Sequence, residues 1–338
     1  MRNDTFLPLT LAVACLALTG CTMLGGGTPG WVANPKTAYP EDRFLVAVGE
    51  GDTRQTAENA AAANLARIFE AHIESDERLL DQSTETGKSF VRTTDFTSDV
   101  NILSSQTLFN IQHAEAWKDK MARYHAVAYL NRRDTAAIYR DKIDERSARV
   151  NFLLASAGNT GNVLKKYATL RAASGYAAEV SYLLQQLKVI HPPSVPGSTP
   201  GYSINDLHKA LADTAKQIKV RIKIGGDDEK RMNGTLEELI TQYGFVVGTP
   251  VVLDIAGSVS VTDTGERTQG LVFARYELAL QIKNADGDVL VSIGHKGREA
   301  HTTMQQARIR SFRTLDNAIK AGGAQRLDAY FDSLIDRQ

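Results

Sequence analysis

Gly49-Glu-Gly51 comes nearest to a phosphate cradle, because it follows an apolar run and precedes a helix whose bare backbone amides could hold an anion. Arg54 stands where a dinucleotide loop needs its third glycine, and Asp52 would set a negative charge beside a pyrophosphate. The segment therefore reads as a tight strand-to-helix turn. Metal chemistry has 7 histidines to draw on, but no His-x3-His, Cys-x2-Cys or His-Glu-x2-His spacing occurs. His295 and His301 read as a strand end and a following turn, both on the surface. Gly225-Gly-Asp-Asp-Glu229 and Asn284-Ala-Asp-Gly-Asp288 resemble fragments of calcium loops but lack the spacing and the bidentate glutamate. They read as a helix cap and a hairpin turn. Serine hydrolysis lacks its Gly-x-Ser-x-Gly elbow. Trp31 and Trp117 could offer aromatic faces to a sugar or a partner, and read as packing at a core edge. No catalytic, cofactor-binding or metal-ligating residue is assigned, and the chain is expected not to be an enzyme.

Covalent chemistry points to one residue, Cys21. Arg2 is followed by an apolar run from Phe6 to Leu18 that is too short to cross a bilayer permanently, which reads as an export signal. Its end, Leu18-Thr-Gly-Cys21, resembles the bacterial lipobox, where small residues admit a peptidase that cuts before an acylated cysteine. Diacyl and amino-terminal acyl chains together anchor more firmly than a single chain. The Gly25-Gly-Gly27 run behind Cys21 suits a flexible tether. The chain has 2 cysteines, and Cys15 lies in the segment expected to be removed, so no internal disulfide is expected. Thr22 is not the aspartate that retains enteric lipoproteins in the inner membrane, which favours the outer membrane, with the body facing the periplasm.

The 338 residues include 39 basic and 39 acidic side chains, so no net charge calls for nucleic acid as a partner. At 43% hydrophobic and 23% charged, the composition is that of a globular protein, and the length after cleavage suggests two domains.

The clearest break is His191-Pro-Pro-Ser-Val-Pro-Gly-Ser-Thr-Pro-Gly201, which holds 4 of the 9 prolines. Upstream, Phe44 to Val48 reads as a strand. Asp52 is expected to cap a helix, with Gln55 at the capping-box position and Ala57, Ala61, Leu65 and Ile68 as its buried stripe. Phe69, Ala71 and Ile73 suggest a second strand, and Phe96, Val100, Leu103 and Thr107 a helix. Phe109 to Trp117 and Tyr124 to Leu130 look like a hairpin, and Asp134 to Ile190 like a helical hairpin broken near Gly158 to Gly161. Downstream come a helix over Asn205 to Ile218, a strand over Val220 to Ile224, a helix ended by Gly244, and alternating strands at Val251 to Val261, Tyr276 to Ile282 and Val289 to Ile293. Thr303 to Gln338 is helical.

Three stretches together resemble the LPP-twenty family of bacterial outer-membrane lipoproteins: Trp31-Val-Ala-Asn-Pro35 with Phe44 to Gly51, the alanine-rich Ala57 to Ala66, and Ser104 to Arg132. The likeness spans roughly residues 31–145. It implies a small α/β module found in envelope lipoproteins that support flagellar outer-membrane structures, and it carries over no catalytic residue. The turn Lys118-Asp-Lys-Met-Ala122 departs from it in lacking a glycine. Residues 203–338 look more loosely like the α/β domain at the amino end of periplasmic TolB, through their element order, Tyr243-Gly-Phe245 and Gly257-Ser-Val-Ser-Val261.

The expected fold is α+β: two small α/β modules, each a few-stranded, mainly antiparallel sheet covered by helices, joined by a helical hairpin and a Pro/Gly linker. The divisions are a signal peptide at 1–20, the lipidated cysteine and tether at 21–43, a first module with its helical extension at 44–190, a linker at 191–202 and a second module at 203–338. The function read from this is a lipid-anchored scaffold or assembly factor with envelope protein partners and no cofactor. The alternatives are a partner of a peptidoglycan-handling enzyme, or an enzyme with an unrecognised site.

Overall fold

A computed structural model describes residues 27–83 and 108–336. Two short helices, α1 (Gly30–Ala33) and α2 (Pro35–Ala38), lead into β1 (Phe44–Gly51) and the long α3 (Arg54–Ser83). β2 (Gln112–Lys118) and β3 (Tyr124–Asn131) complete an antiparallel sheet ordered β1-β3-β2. Alternate residues of β1, Leu45, Ala47 and Gly49, are buried toward α3. The helix answers with Ala57, Ala61, Leu65 and Phe69, one per turn. Ile68, expected in that stripe, is 40% exposed, because a strict four-residue step carries the buried face to Phe69 instead.

The close fit of helix and strand explains the glycines. A Cβ at Gly49 would lie 2.1 Å from the Ala61 amide nitrogen, and one at Gly51 would lie 2.3 Å from the Thr56 hydroxyl. Gly49-Glu-Gly51 is thus the end of a strand pressed against an alanine-faced helix, not a turn. Asn64 fastens the contact by donating to the Val48 carbonyl at 2.8 Å.

Two expectations for α3 are corrected. Thr53 and Thr56 cap its start reciprocally, Thr53 N–H to Thr56 Oγ1 at 3.0 Å and Thr56 N–H to Thr53 Oγ1 at 3.2 Å, in place of Asp52 and Gln55. The strand expected over Phe69, Ala71 and Ile73 is helix, since Phe69 extends the helical stripe and three alternating residues cannot outweigh it. The helix expected around Phe96 to Thr107 falls outside the described residues.

Helices α4 (Arg132–Asn159) and α5 (Val163–Ile190) form the helical hairpin. Asn131 and Asn162 cap them, each accepting from two amides. At 28 residues apiece they are about 42 Å long, and they contribute to three cores in succession. Tyr139, Ile143, Val180, Leu187 and Ile190 pack with the first sheet and α3. Val150, Leu153 and Ala157 meet Leu170, Ala173 and Ala177 in the middle. Leu164, Tyr167 and Ala168 enter the core of the second module. Arg132 secures the base, where its guanidinium donates to the carbonyls of Glu41, Val189 and Ile190 at 2.7–2.8 Å. The proline-rich segment is folded into two 3-10 turns, Pro192–Ser194 and Pro196–Ser198, with His191 bonded to Ser194 at 2.8 Å.

The second module opens with α6 (Ile204–Gln217), β4 (Lys219–Gly225) and α7 (Arg231–Gln242). β5 (Val246–Val247), β6 (Leu253–Thr268), β7 (Leu271–Asn284) and β8 (Val289–His301) complete a mixed sheet ordered β5-β4-β6-β7-β8. β4 runs parallel to both β5 and β6, while β6, β7 and β8 form an antiparallel meander. Gln269 and Gly270, both at positive φ, make the two-residue turn from β6 to β7. α8 (Met304–Asn317), a π-helical turn at Ala318–Gly323 and α9 (Ala324–Ser333) follow, and Ala307, Leu315, Ile319 and Phe331 fill the core beneath the sheet. Arg326 donates to the Ser292 carbonyl and Arg310 to that of Ala300, occupying backbone acceptors on β8.

Polar bonds lock the hairpin to this module. Tyr167 donates to the Tyr243 carbonyl at 3.1 Å, Tyr243 donates to Asp328 at 2.8 Å, and Arg171 reaches Asp328 at 2.7 Å. Asp336 accepts from Ser156 at 2.9 Å and Lys165 at 2.8 Å, while its carbonyl takes Arg149 at 3.0 Å. Burial raises the Tyr243 hydroxyl far above its ordinary value, aided by Asp328, and pushes Tyr167 up to about 12.

Two outcomes follow from these contacts. Gly49→Ala forces β1 and α3 apart and should cost about 3 kcal/mol, read as a lower urea midpoint. Tyr167→Phe leaves the Tyr243 carbonyl without its donor and should cost about 1 kcal/mol at neutral pH. Because the folded hydroxyl titrates above the unfolded one, its protonation supports the fold fully below pH of about 10, and that support is lost as pH rises toward about 12. Urea titrations on either side of that window should show a smaller alkaline loss in the phenylalanine variant than in the parent chain.

Candidate functional site

Cys21 lies outside the described residues, which begin at Gly27. The tether ends at α1, where Trp31 is 5% exposed and the helix packs against β3. Tyr39, just after α2, packs edge-on against Phe44 and tilted against Tyr129, so the tether's end is bound to the sheet of the first module.

A polar grouping in that module sits at the β2–β3 hairpin, which the sequence marked only by a missing glycine. His125 is 8% exposed on β3. Its Nε2 lies 3.3 Å from Asp119 and its Nδ1 3.5 Å from Glu50, while its ring rests 5.4 Å from that of Trp117. Asp119 also accepts from the amides of Met121 and Arg123, both at 2.9 Å. Those bonds, with the neighbouring histidine, hold its carboxyl below the usual carboxylate value. Asp119 and its partners thereby fix the turn, and Ala122 takes the left-handed φ of 66° in place of the glycine. A histidine between two carboxylates can shuttle a proton. Here its partners are those carboxylates and a ring, and no hydroxyl or thiol is bonded to it among the described residues. Trp117, read as packing, is half-buried against His125.

A cleft of about 570 Å³ runs beside β1, lined by Lys36, Glu41, Phe44, Val46, Ile68 and Arg132 among others. Lys36 and Glu41 pair at 2.9 Å, and Arg132 is committed to carbonyls, with burial lowering its pKa. Lys36 and Arg132 thus both have structural duties.

The acidic runs take the places the sequence suggested. Asp227 accepts from the Asn233 amide at 2.8 Å in the first turn of α7, a cap supplied from upstream of the helix. Asn284 and Asp288 bond to each other three times across the β7–β8 turn, with Gly287 at φ of 92°. His295 and His301 both belong to β8, which extends further than expected. His295 stacks on Tyr276, and His301 bonds to Thr302. No group of three or more metal-ligating side chains is placed to hold an ion among the described residues. No helix among them is long and apolar enough to cross a membrane.

The secreted protein HP1454 of Helicobacter pylori resembles 84% of this chain over 97% of its own length, at 14% identity and a TM-score of 0.45. A minor lipoprotein of Acinetobacter baumannii resembles 35% of the chain over 92% of its own, at 11% identity and a TM-score of 0.26. No curated protein matches the chain in sequence. Residues 29–131, from the end of the tether to the last residue of β3 and excluding the helical hairpin, match the LPP20 lipoprotein family.

Proposed function

We propose that this protein is a non-catalytic, lipid-anchored scaffold or assembly factor of the bacterial envelope, held to the outer membrane by acyl chains on Cys21 with its body facing the periplasm. The observation that carries this reading is the sequence of parts: Leu18-Thr-Gly-Cys21, a glycine tether, and then a region matching a lipoprotein family at residues 29–131. The allocation of polar groups supports it. Asp227 caps a helix, Asn284 and Asp288 close a turn, and Asp328 and Asp336 fasten helices together. The partners are envelope proteins of an outer-membrane structure, of which a flagellar one is the example the family suggests.

Replacing Cys21 by Ser should abolish incorporation of labelled palmitate and move the protein from the outer-membrane band of a density gradient to the soluble or inner-membrane fractions. A variant that still takes up label and stays in the outer-membrane band would overturn the anchor. Asp286→Ala and His301→Ala should leave cellular function intact, whereas deleting either module should abolish it. Loss of function from either point change, in a folded and anchored protein, would replace the scaffold reading with a specific ligand or catalytic site.

A further inference from the structure

The β2–β3 turn, Lys118-Asp-Lys-Met-Ala-Arg123, presents Met121 at 85% exposure, whereas the other large exposed hydrophobic side chains of the described residues lie between 38% and 52%. Lys118, Lys120 and Arg123 around it are exposed as well. The turn's one carboxylate, Asp119, faces inward to the amides of Met121 and Arg123 and to His125. Glu50 pairs with Arg123 at 3.7 Å. The apex is therefore a fixed apolar point inside a ring of positive charge, with half-buried Trp117 and Tyr124 behind it.

We propose that this turn docks on an anionic bilayer surface, with Met121 entering the interface and Lys118, Lys120 and Arg123 lying against lipid phosphates. The inference rests on the lipid anchor at Cys21. From Cys21 to Gly30 an extended chain reaches about 30 Å, and α1 packs against β3. β3 itself is 8 residues long, or about 26 Å, and begins at this turn. The tether therefore lets the turn reach the membrane that holds the chain. Charge complementarity selects phosphate headgroups. Each basic side chain near an anionic surface multiplies binding roughly five-fold, and a thioether suits the apolar layer just beneath it.

The test uses the lipidated full chain carrying Met121→Cys, in which acylated Cys21 and excised Cys15 leave the introduced thiol as the site for an environment-sensitive fluorophore. The protein is reconstituted into vesicles of phosphatidylcholine alone or mixed with phosphatidylglycerol, containing nitroxide-bearing lipids. With phosphatidylglycerol, the emission should shift to the blue and be quenched. Lys118→Ala with Lys120→Ala should lower the docked-to-free ratio roughly twenty-five-fold, and added salt should release the probe from the unmutated turn by screening. A fluorophore at Asp286→Cys, in the β7–β8 turn, should remain in water throughout.

If the protein floats with the vesicles while the probe at 121 stays in water, docking is overturned and the anchor stands. If it does not float, the anchor falls, and the same probe read at raised vesicle concentration decides docking by itself. A probe shielded only when envelope proteins are added would overturn the proposal in favour of a protein partner.

Discussion

The burial of one long helical hairpin organises this molecule. Helices of 28 residues, about 42 Å long, carry more apolar surface than either small sheet can cover. The hairpin places Tyr139 and Ile143 under one sheet and Leu164 and Tyr167 under the other, with Leu153 facing Ala173 between them. Neither sheet's core is complete without the hairpin. The polar locks sit where that arrangement needs them, Arg132 at the base and the Arg171, Tyr243, Asp328 and Asp336 bonds at the far end.

The same economy governs the first module. A four-residue step of Ala57, Ala61 and Leu65 lets α3 approach β1 closely enough that Gly49 and Gly51 have no room for a side chain. What resembles a phosphate loop in sequence is thus a demand of backbone packing. At the same end of β3, Asp119 spends its hydrogen bonds on holding a turn whose other side chains face outward. Inward-facing charge builds the fold, and outward-facing charge is left for contact.

Much of the architecture was legible in the residues. The period of 3.6 from Asp134 to Ile190 and its break near Gly158 located the hairpin, and Asp286-Gly287 located the β7–β8 turn, because these signals are long or chemically specific. The meander at Val251 to Ile293 was also readable, although its strands run further at the β6–β7 turn and at the end of β8, where charged residues on paired edges hide the alternation. Phe69 to Ile73 misled because three residues fit either period. Thr53 and Thr56 were passed over for Asp52 because both types cap helices and only geometry chooses between them. Parallel pairing of β4 with β6 joins strands separated by a helix, and no local signal records it. The grouping of Glu50, Asp119 and His125 was invisible for a similar reason, since Glu50 comes from a strand that precedes the hairpin by more than a long helix.

The arginine caps on β8 carry a consequence for how the chain is made. Arg310 and Arg326 both follow β8 in sequence, on α8 and α9. A nascent or truncated chain can therefore assemble the whole meander while its last strand still offers bare carbonyls at Ser292 and Ala300. An open strand edge recruits other strands. The interval between completing β8 and docking the two terminal helices is then the period of greatest risk of mispairing between chains, and truncation between His301 and Arg310 would make that interval permanent.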